Sequence, residues 1–213
     1  MEASAVNSEV IRLFPTFVWK SRLESAARAT VQRAILDVLA VLRSGLPDPA
    51  PGEIWQSRHG LHEEAQLEPL VRQIRQGVEQ VLAFLRTPGP AFEITGLWAN
   101  IAATGGATRM HAHPNNFLSG VYYVQVQPGA DTINFHDPRP QTAIVRPPAT
   151  ELTAYNTDQV VAQVEEGTLL VFPAWLVHSV DPNRSDRFRI SMSFNVMFSS
   201  YAETMSEPLW GER

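Results

Sequence analysis

Cysteine is absent from this chain. That excludes a disulfide-stapled scaffold and any thiolate metal site. A metal, if bound, must be held by His, Asp or Glu. No apolar run approaches the roughly 18 residues that a membrane-spanning helix needs, so no membrane contact is expected. The start, MEASAVNSEVIRLF, lacks the charged region and long apolar run of a secretory signal, and the expected location is cytoplasmic. A basic excess is missing as well: 17 Lys and Arg stand against 22 Asp and Glu, a formal balance of −5. Nucleic-acid binders usually show a basic footprint, so no nucleic-acid partner is expected. Internal repeats and low-complexity stretches are lacking too.

What is present is an ordinary globular composition, 44% hydrophobic over 213 residues. A chain of this length buries a sizeable core. With about 100–200 residues per domain as the usual range, residues 1–213 are expected to form one domain. Residues 12–19, RLFPTFVW, read as a strand, with Pro15 favouring an edge or bulge. From about Glu24 to Arg43, apolar residues such as Val31, Ile35, Val38 and Leu42 recur at helical spacing. The segment GLPDPAPGE (45–53) is a turn-rich break. A second helix is predicted from about Glu63 to Leu85, with Leu67, Leu70, Ile74, Val78 and Val81 on one stripe and Pro69 in its first turns. TPGP (87–90) ends it.

After residue 90 short β-type segments follow: FEITGLWANIA, TRMHAH, LSGVYYVQV, DTINFHD, QVVAQVE, TLLVFPAW and FRISMSFNVMF. Gly, Pro, Asn and Asp separate them. This spacing predicts a mainly β sandwich or small barrel of antiparallel strands, with the two helices covering one face. Residues 1–90 would then be a strand plus helical support, and residues 91–200 the β core.

The six histidines are His59, His62, His111, His113, His136 and His178. His111 and His113 form an H-x-H pair at the edge of a predicted strand. Side chains at i and i+2 on a strand point the same way, so two imidazoles can converge on one ion without backbone distortion. His178 follows one strong strand segment and precedes another, which places it at a strand end as the third candidate. Three or fewer protein N/O ligands with open positions is the layout of a catalytic metal site. The residue types alone leave Fe(II), Zn, Cu and Ni open.

These segments resemble the 2-oxoglutarate/Fe(II) oxygenases of the double-stranded β-helix (jelly-roll) class, of prolyl-hydroxylase-like type. The likeness covers roughly residues 94–197, with weaker support from LFPTFVW near the start. It is carried by LWAN (97–100), HAHPNN (111–116), SGVYYV (119–124), FHDPRP (135–140), GTLLVFPAWLVHSVDPN (167–183) and RISMSFN (189–195). The resemblance implies Fe(II) as the metal and 2-oxoglutarate as co-substrate. It further implies O2 as a reactant and a small or amino-acid-like molecule as substrate. The implied reaction hydroxylates an unactivated C–H with release of succinate and CO2. His111 and His178 are the catalytic metal ligands on this reading. The carboxylate of the family's H-x-D/E is replaced here by His113. The third ligand is then His113 or a carboxylate from elsewhere, with Asp137 in FHDPR as the candidate.

The resemblance also implies an arginine that grips the far carboxylate of 2-oxoglutarate. Arg189-x-Ser191 fits that role, because a guanidinium pairs bidentately with a carboxylate. Arg187 has the same parity and is the competitor. Tyr123 would add a phenol hydrogen bond and Asn100 a polar wall. Trp98, Phe117, Phe135, Phe172 and Trp175 are candidates for a dry apolar wall. The loop WQSRHGLHEE (55–64), with Arg58, His59 and His62, is either a substrate-recognition loop or merely solvated. Two rival readings stand beside this one. A cupin-type metal enzyme without 2-oxoglutarate matches residues 167–178 but lacks the glutamate expected after H-x-H. A non-catalytic β-sandwich binding module has no use for a buried carboxylate clamp. A homodimer is a further expectation.

Overall fold

The computed structural model describes residues 8–87, 89, 91–139, 145, 148–153 and 155–202. Pro88, Pro90 and Pro140 of the expected breaks lie outside these residues. Among these described residues, ten strands form two antiparallel sheets. The strands are β1 Trp19–Arg22, β2 Ile54–Gln56, β3 Phe92–Ala102, β4 Thr108–His111 and β5 Leu118–Gln125, followed by β6 Thr132–His136, β7 Gln159–Gln163, β8 Thr168–Pro173, β9 His178–Val180 and β10 Arg189–Phe198. The six-stranded sheet has the order β1-β8-β5-β10-β3-β2, and the four-stranded sheet the order β4-β9-β6-β7. Two facing antiparallel sheets with helices on one outer face make the expected double-stranded β-helix.

Helix α1 spans Ser25–Leu42 and α2 spans Glu68–Phe84. The inward stripe of α1 is Val31, Ile35, Val38 and Leu39; that of α2 is Leu70, Ile74, Val78, Val81 and Leu82. Both stripes pack on one face of the six-stranded sheet, against Leu97, Leu118, Tyr122, Val171, Met192 and Phe194. Burying each such aliphatic or aromatic side chain contributes about 1.5–3 kcal/mol, so this layer carries most of the stability. Gly77 lets α2 come close to β8, since a Cβ there would stand 3.0 Å from Leu169 Cδ2. Gly120 is equally constrained: a Cβ would run into the Phe194 ring and the Leu170 carbonyl.

Helix α2 begins five residues later than predicted, after two 3-10 turns at Leu61–Glu63 and Ala65–Leu67. Pro69 sits at its first positions, where the missing N–H has no helical partner to lose. The predicted strand over 12–19 shrinks to Trp19 as the first residue of β1. Phe14 adopts a left-handed φ of 52° and Pro15 offers no N–H, so neither can continue a ladder.

A second, smaller core lies between the sheets. It contains Ile133, Phe135, Val164, Leu170, Phe172, Leu176 and Tyr123. Strand alternation divides β10 between the two layers. Ile190, Met192, Phe194 and Val196 face the helices, while Arg189, Ser191 and Ser193 line a cavity between the sheets. The other end of this polar row is fastened by Ser119 Oγ donating to Asn195 Oδ1 at 2.7 Å. Among the described residues no helix is long and apolar enough to cross a membrane.

Candidate metal centre

β4 and β9 are neighbours in the smaller sheet, and their register sets His111 directly opposite His178. Their ring centroids are 4.3 Å apart. His113 lies two residues beyond His111, after the strand ends. Its backbone N–H donates to Ala174 O at 2.9 Å, which holds it beside the turn leading into β9. The turn that follows explains the PNN sequence. Asn115 takes a left-handed φ of 61°, a conformation asparagine tolerates better than most residues. Asn116 donates to Pro114 O and accepts from Thr95 Oγ1 of β3, tying the turn to the larger sheet.

Each of the three histidines offers one ring nitrogen, and these nitrogens lie within 4.8 Å of one another. Two of the rings have a fixed tautomer. His178 Nδ1–H donates to Leu176 O at 2.9 Å, and His111 Nδ1–H donates to Arg109 O at 2.8 Å. A carbonyl can only accept, so the proton is on Nδ1 and the lone pair on Nε2 is free for a metal. Burial, with the neighbouring imidazoles, pushes His113 down to about 3. Burial likewise pushes His178 down to about 4. Both rings are therefore neutral near pH 7, the form that ligates. Three imidazole nitrogens, prepositioned and without a thiolate, fit Fe(II).

Asp137 is not among this group. Its carboxylate is held by Arg139, with Nη2 at 2.5 Å and Nε at 2.9 Å, and that guanidinium keeps it below the usual carboxylate range. His136 turns away as well, to Ser179 Oγ at 2.8 Å.

The triad opens on a cavity of about 90 Å3. Arg189 stands on its wall and is only 4% exposed. Among the described residues no carboxylate pairs with its guanidinium, and burial pulls its pKa down, with only the Tyr123 phenol offsetting this. Tyr123 lies on β5 and Asn100 on β3, each in register with Ser191 between them. Tyr123 is wholly buried and its pKa is raised by that burial, so it remains a phenol that can donate. Asn100 is held at both ends: it accepts from Gln56 Nε2 at 2.9 Å and donates to Ser193 Oγ at 3.0 Å.

Thus His111, His113, His178, Arg189, Ser191, Tyr123 and Asn100 share one cavity. Arg187 does not: it precedes β10 and is exposed, with its carbonyl rather than its side chain bound by Asn183 Nδ2 at 2.7 Å. Of the apolar candidates, Trp98 and Phe172 line the cavity, and Phe135 backs Phe172 edge-on at 5.1 Å. Phe117 packs instead on Phe198 in the helix-side core, and Trp175 is 54% exposed. The 55–64 loop is not simply solvated. His59 stacks on Trp98 at 4.5 Å, its carbonyl accepts from Leu97 N, and Arg58 is tied to Glu64. His62 is half-buried, and burial lowers its pKa. Gln56, Thr108 and Ser193 also line the cavity and were not singled out from the sequence. Ser193 had a readable signal, the parity of Arg189 and Ser191. Gln56 and Thr108 had none, since they reach the site only through sheet pairing.

Comparison with known proteins agrees with this geometry. Residues 96–195 match a family described as "Putative 2OG-Fe(II) oxygenase". A search of curated proteins finds no match. Solved structures are similar over most of their length. AviO1 from Streptomyces viridochromogenes Tue57 superposes with a TM-score of 0.60 at 15% identity, covering 87% of this chain and 91% of that one. A Trichoplax adhaerens prolyl hydroxylase, in complex with a hypoxia inducible factor peptide fragment, gives 0.58 at 12% identity, with 89% and 87% covered. HygX from Streptomyces hygroscopicus, with nickel and 2-oxoglutarate bound, gives 0.57 at 11% identity, with 86% and 83% covered. At such identities these structures speak for the fold, and the family match speaks for the chemistry. Over residues 96–195, just under half of its length, the chain is similar to the 2-oxoglutarate/Fe(II) oxygenase family, whose cofactors are Fe(II) and 2-oxoglutarate.

Proposed function

We propose that the chain acts as one oxygenase domain that hydroxylates a C–H bond of a small polar or amino-acid-like substrate. In this reading His111, His113 and His178 hold the iron and Arg189 holds the far carboxylate of 2-oxoglutarate. Bound there, Fe(II) with 2-oxoglutarate and O2 supplies the oxidising power for hydroxylation, with succinate and CO2 as co-products.

The observation that carries the reading is Arg189. A buried guanidinium with no acid partner among the described residues is costly for the fold alone. It becomes favourable once an anion enters, because the pair then forms in a low-dielectric cavity with bidentate geometry. The histidine nitrogens and the guanidinium line the same space, which suits a ligand that is anionic at both ends.

The remaining residues have roles that follow from their bonds. The carbonyls of Leu176 and Arg109 keep His178 and His111 in the ligating tautomer. Ser191 and Tyr123 stand beside Arg189 as neutral donors to the same carboxylate. Asn100, braced by Gln56 and Ser193, keeps the cavity wall from collapsing onto it. Trp98 and Phe172 exclude water from the metal side, which strengthens every charge interaction inside.

The test is a turnover measurement with purified protein, Fe(II), 2-oxoglutarate and air. Succinate is expected to accumulate with the wild type, slowly without substrate and faster with a matching one. Succinate formed at equal rate by the Arg189→Met variant at low 2-oxoglutarate would contradict the clamp assignment. No succinate under any condition would overturn the reading.

A further inference from the structure

The charges around this cavity do not balance with 2-oxoglutarate alone. None of the described residues lining it is Asp or Glu. Asp137, the carboxylate that the sequence offered as an alternative ligand, is already paired with Arg139. Residues 140–147, which follow it, contain no acid either. The chain as a whole carries more acids than bases, so an acid-free cavity is a local feature and not a result of composition. Metal-bound imidazoles are neutral. Iron(II) therefore keeps both its positive charges, and Arg189 adds a third. 2-Oxoglutarate supplies two negative charges. One positive charge remains in a space walled by Trp98, Phe172 and Ile133, where an unmatched charge is unfavourable. A carboxylate at position 113 would have cancelled it.

From this we infer that the cavity accepts one further anion beside His113, either an acid group of the substrate itself or a small inorganic anion. The inference rests on the functional reading above, and its first alternative narrows the substrate class to acids. Hydrogen-bond donors are in place for such a guest. Ser193 Oγ accepts from Asn100 Nδ2, which leaves its hydroxyl proton to be donated into the cavity. Thr108 brings a second hydroxyl from the opposite sheet. His113 is only half-buried, with Trp98 5.9 Å away and His59 stacked on that indole, so this side of the triad is the one a guest can approach.

The test uses the full chain loaded with Co(II), which does not turn over, and with 2-oxoglutarate. Acetate and chloride are titrated separately, and binding is read from the visible cobalt absorption and by calorimetry. Saturable acetate binding is expected, weakened at least about ten-fold in H113D, where the aspartate supplies the missing negative charge. Saturation by chloride but not acetate would assign the place to an inorganic anion. No binding of either, or equal affinity in H113D, would overturn the inference. If H113D fails to hold cobalt, His113→Glu and Ser193→Ala serve instead. Ser193→Ala is expected to weaken acetate a few-fold with cobalt still bound, and unaltered acetate affinity in that variant would count against the proposal. A protein that binds neither Co(II) nor 2-oxoglutarate sinks the functional reading itself, whereas one that binds both but no anion sinks only this inference.

Discussion

One face of β10 carries Ile190, Met192, Phe194 and Val196; the other carries Arg189, Ser191, Ser193 and Asn195. The same backbone, with the same two-residue alternation, serves two opposed purposes. The helix-side face is apolar and closely packed, and it holds the sheet to α1 and α2. The cavity-side face is polar although buried, and it includes a guanidinium without an acid partner among the described residues. Packing explains the first face. The proposed anionic ligand accounts for the second, because burial of that arginine opposes folding until an anion pairs with it.

The sharpest way to break this contrast is to truncate a side chain on the packed face. Phe194→Ala is expected to destabilise the protein by about 3–5 kcal/mol, read as a lower urea midpoint. An equal loss from a cavity-face substitution would erase the distinction. On the other face, Arg189→Met is expected to weaken 2-oxoglutarate at least 100-fold, about 3 kcal/mol. In the ligand-free protein it should leave the thermal midpoint unchanged or raise it, since it removes a buried unpaired charge. Calorimetric titration and a thermal melt of the same sample check both halves.

A pH series sharpens the comparison further. His178 is depressed from 6.5 to about 4 in the folded protein, so between those values the unfolded chain binds more protons. The contribution of His178 to the stability of the metal-free protein is then complete above pH 6.5 and falls as pH drops toward 4, by roughly 2–3 kcal/mol, beside a similar loss from His113. His178→Phe should reduce that slope by about half, and an unchanged slope would show that the loss originates elsewhere. Smallest of all, Ser191→Ala is expected to weaken 2-oxoglutarate by about 1 kcal/mol, a several-fold rise in Kd, with no measurable change in stability.

Much of this architecture was legible because it is periodic. Val31, Ile35 and Val38 repeat at helical spacing, and FEITGLWANIA is bounded to the residue as β3. Elements set by neighbours were not legible. β9 is three residues long and exists because β4 and β6 flank it; β2 is an equally short edge strand inside a turn-rich stretch. RLFPTFVW failed in the other direction, since its strand-forming residues are overruled by the backbone at Phe14 and Pro15. In the site, His111 and His113 could be paired by parity, but the approach of His178 needed sheet register. Arg189 could be separated from Arg187 only by knowing where β10 starts. The distinction matters, because one arginine is enclosed in the cavity and the other is in solvent.

The central claim is that three histidines and one buried arginine together make an iron and 2-oxoglutarate site. Anaerobic titration of the protein with Fe(II) and then 2-oxoglutarate tests it directly through the visible charge-transfer band of the metal–keto-acid complex. The band is predicted to appear with the wild type, to vanish in His178→Ala, and to need far more 2-oxoglutarate in Arg189→Met. A wild type that gives no band, or a His178→Ala variant that keeps it, would contradict the account.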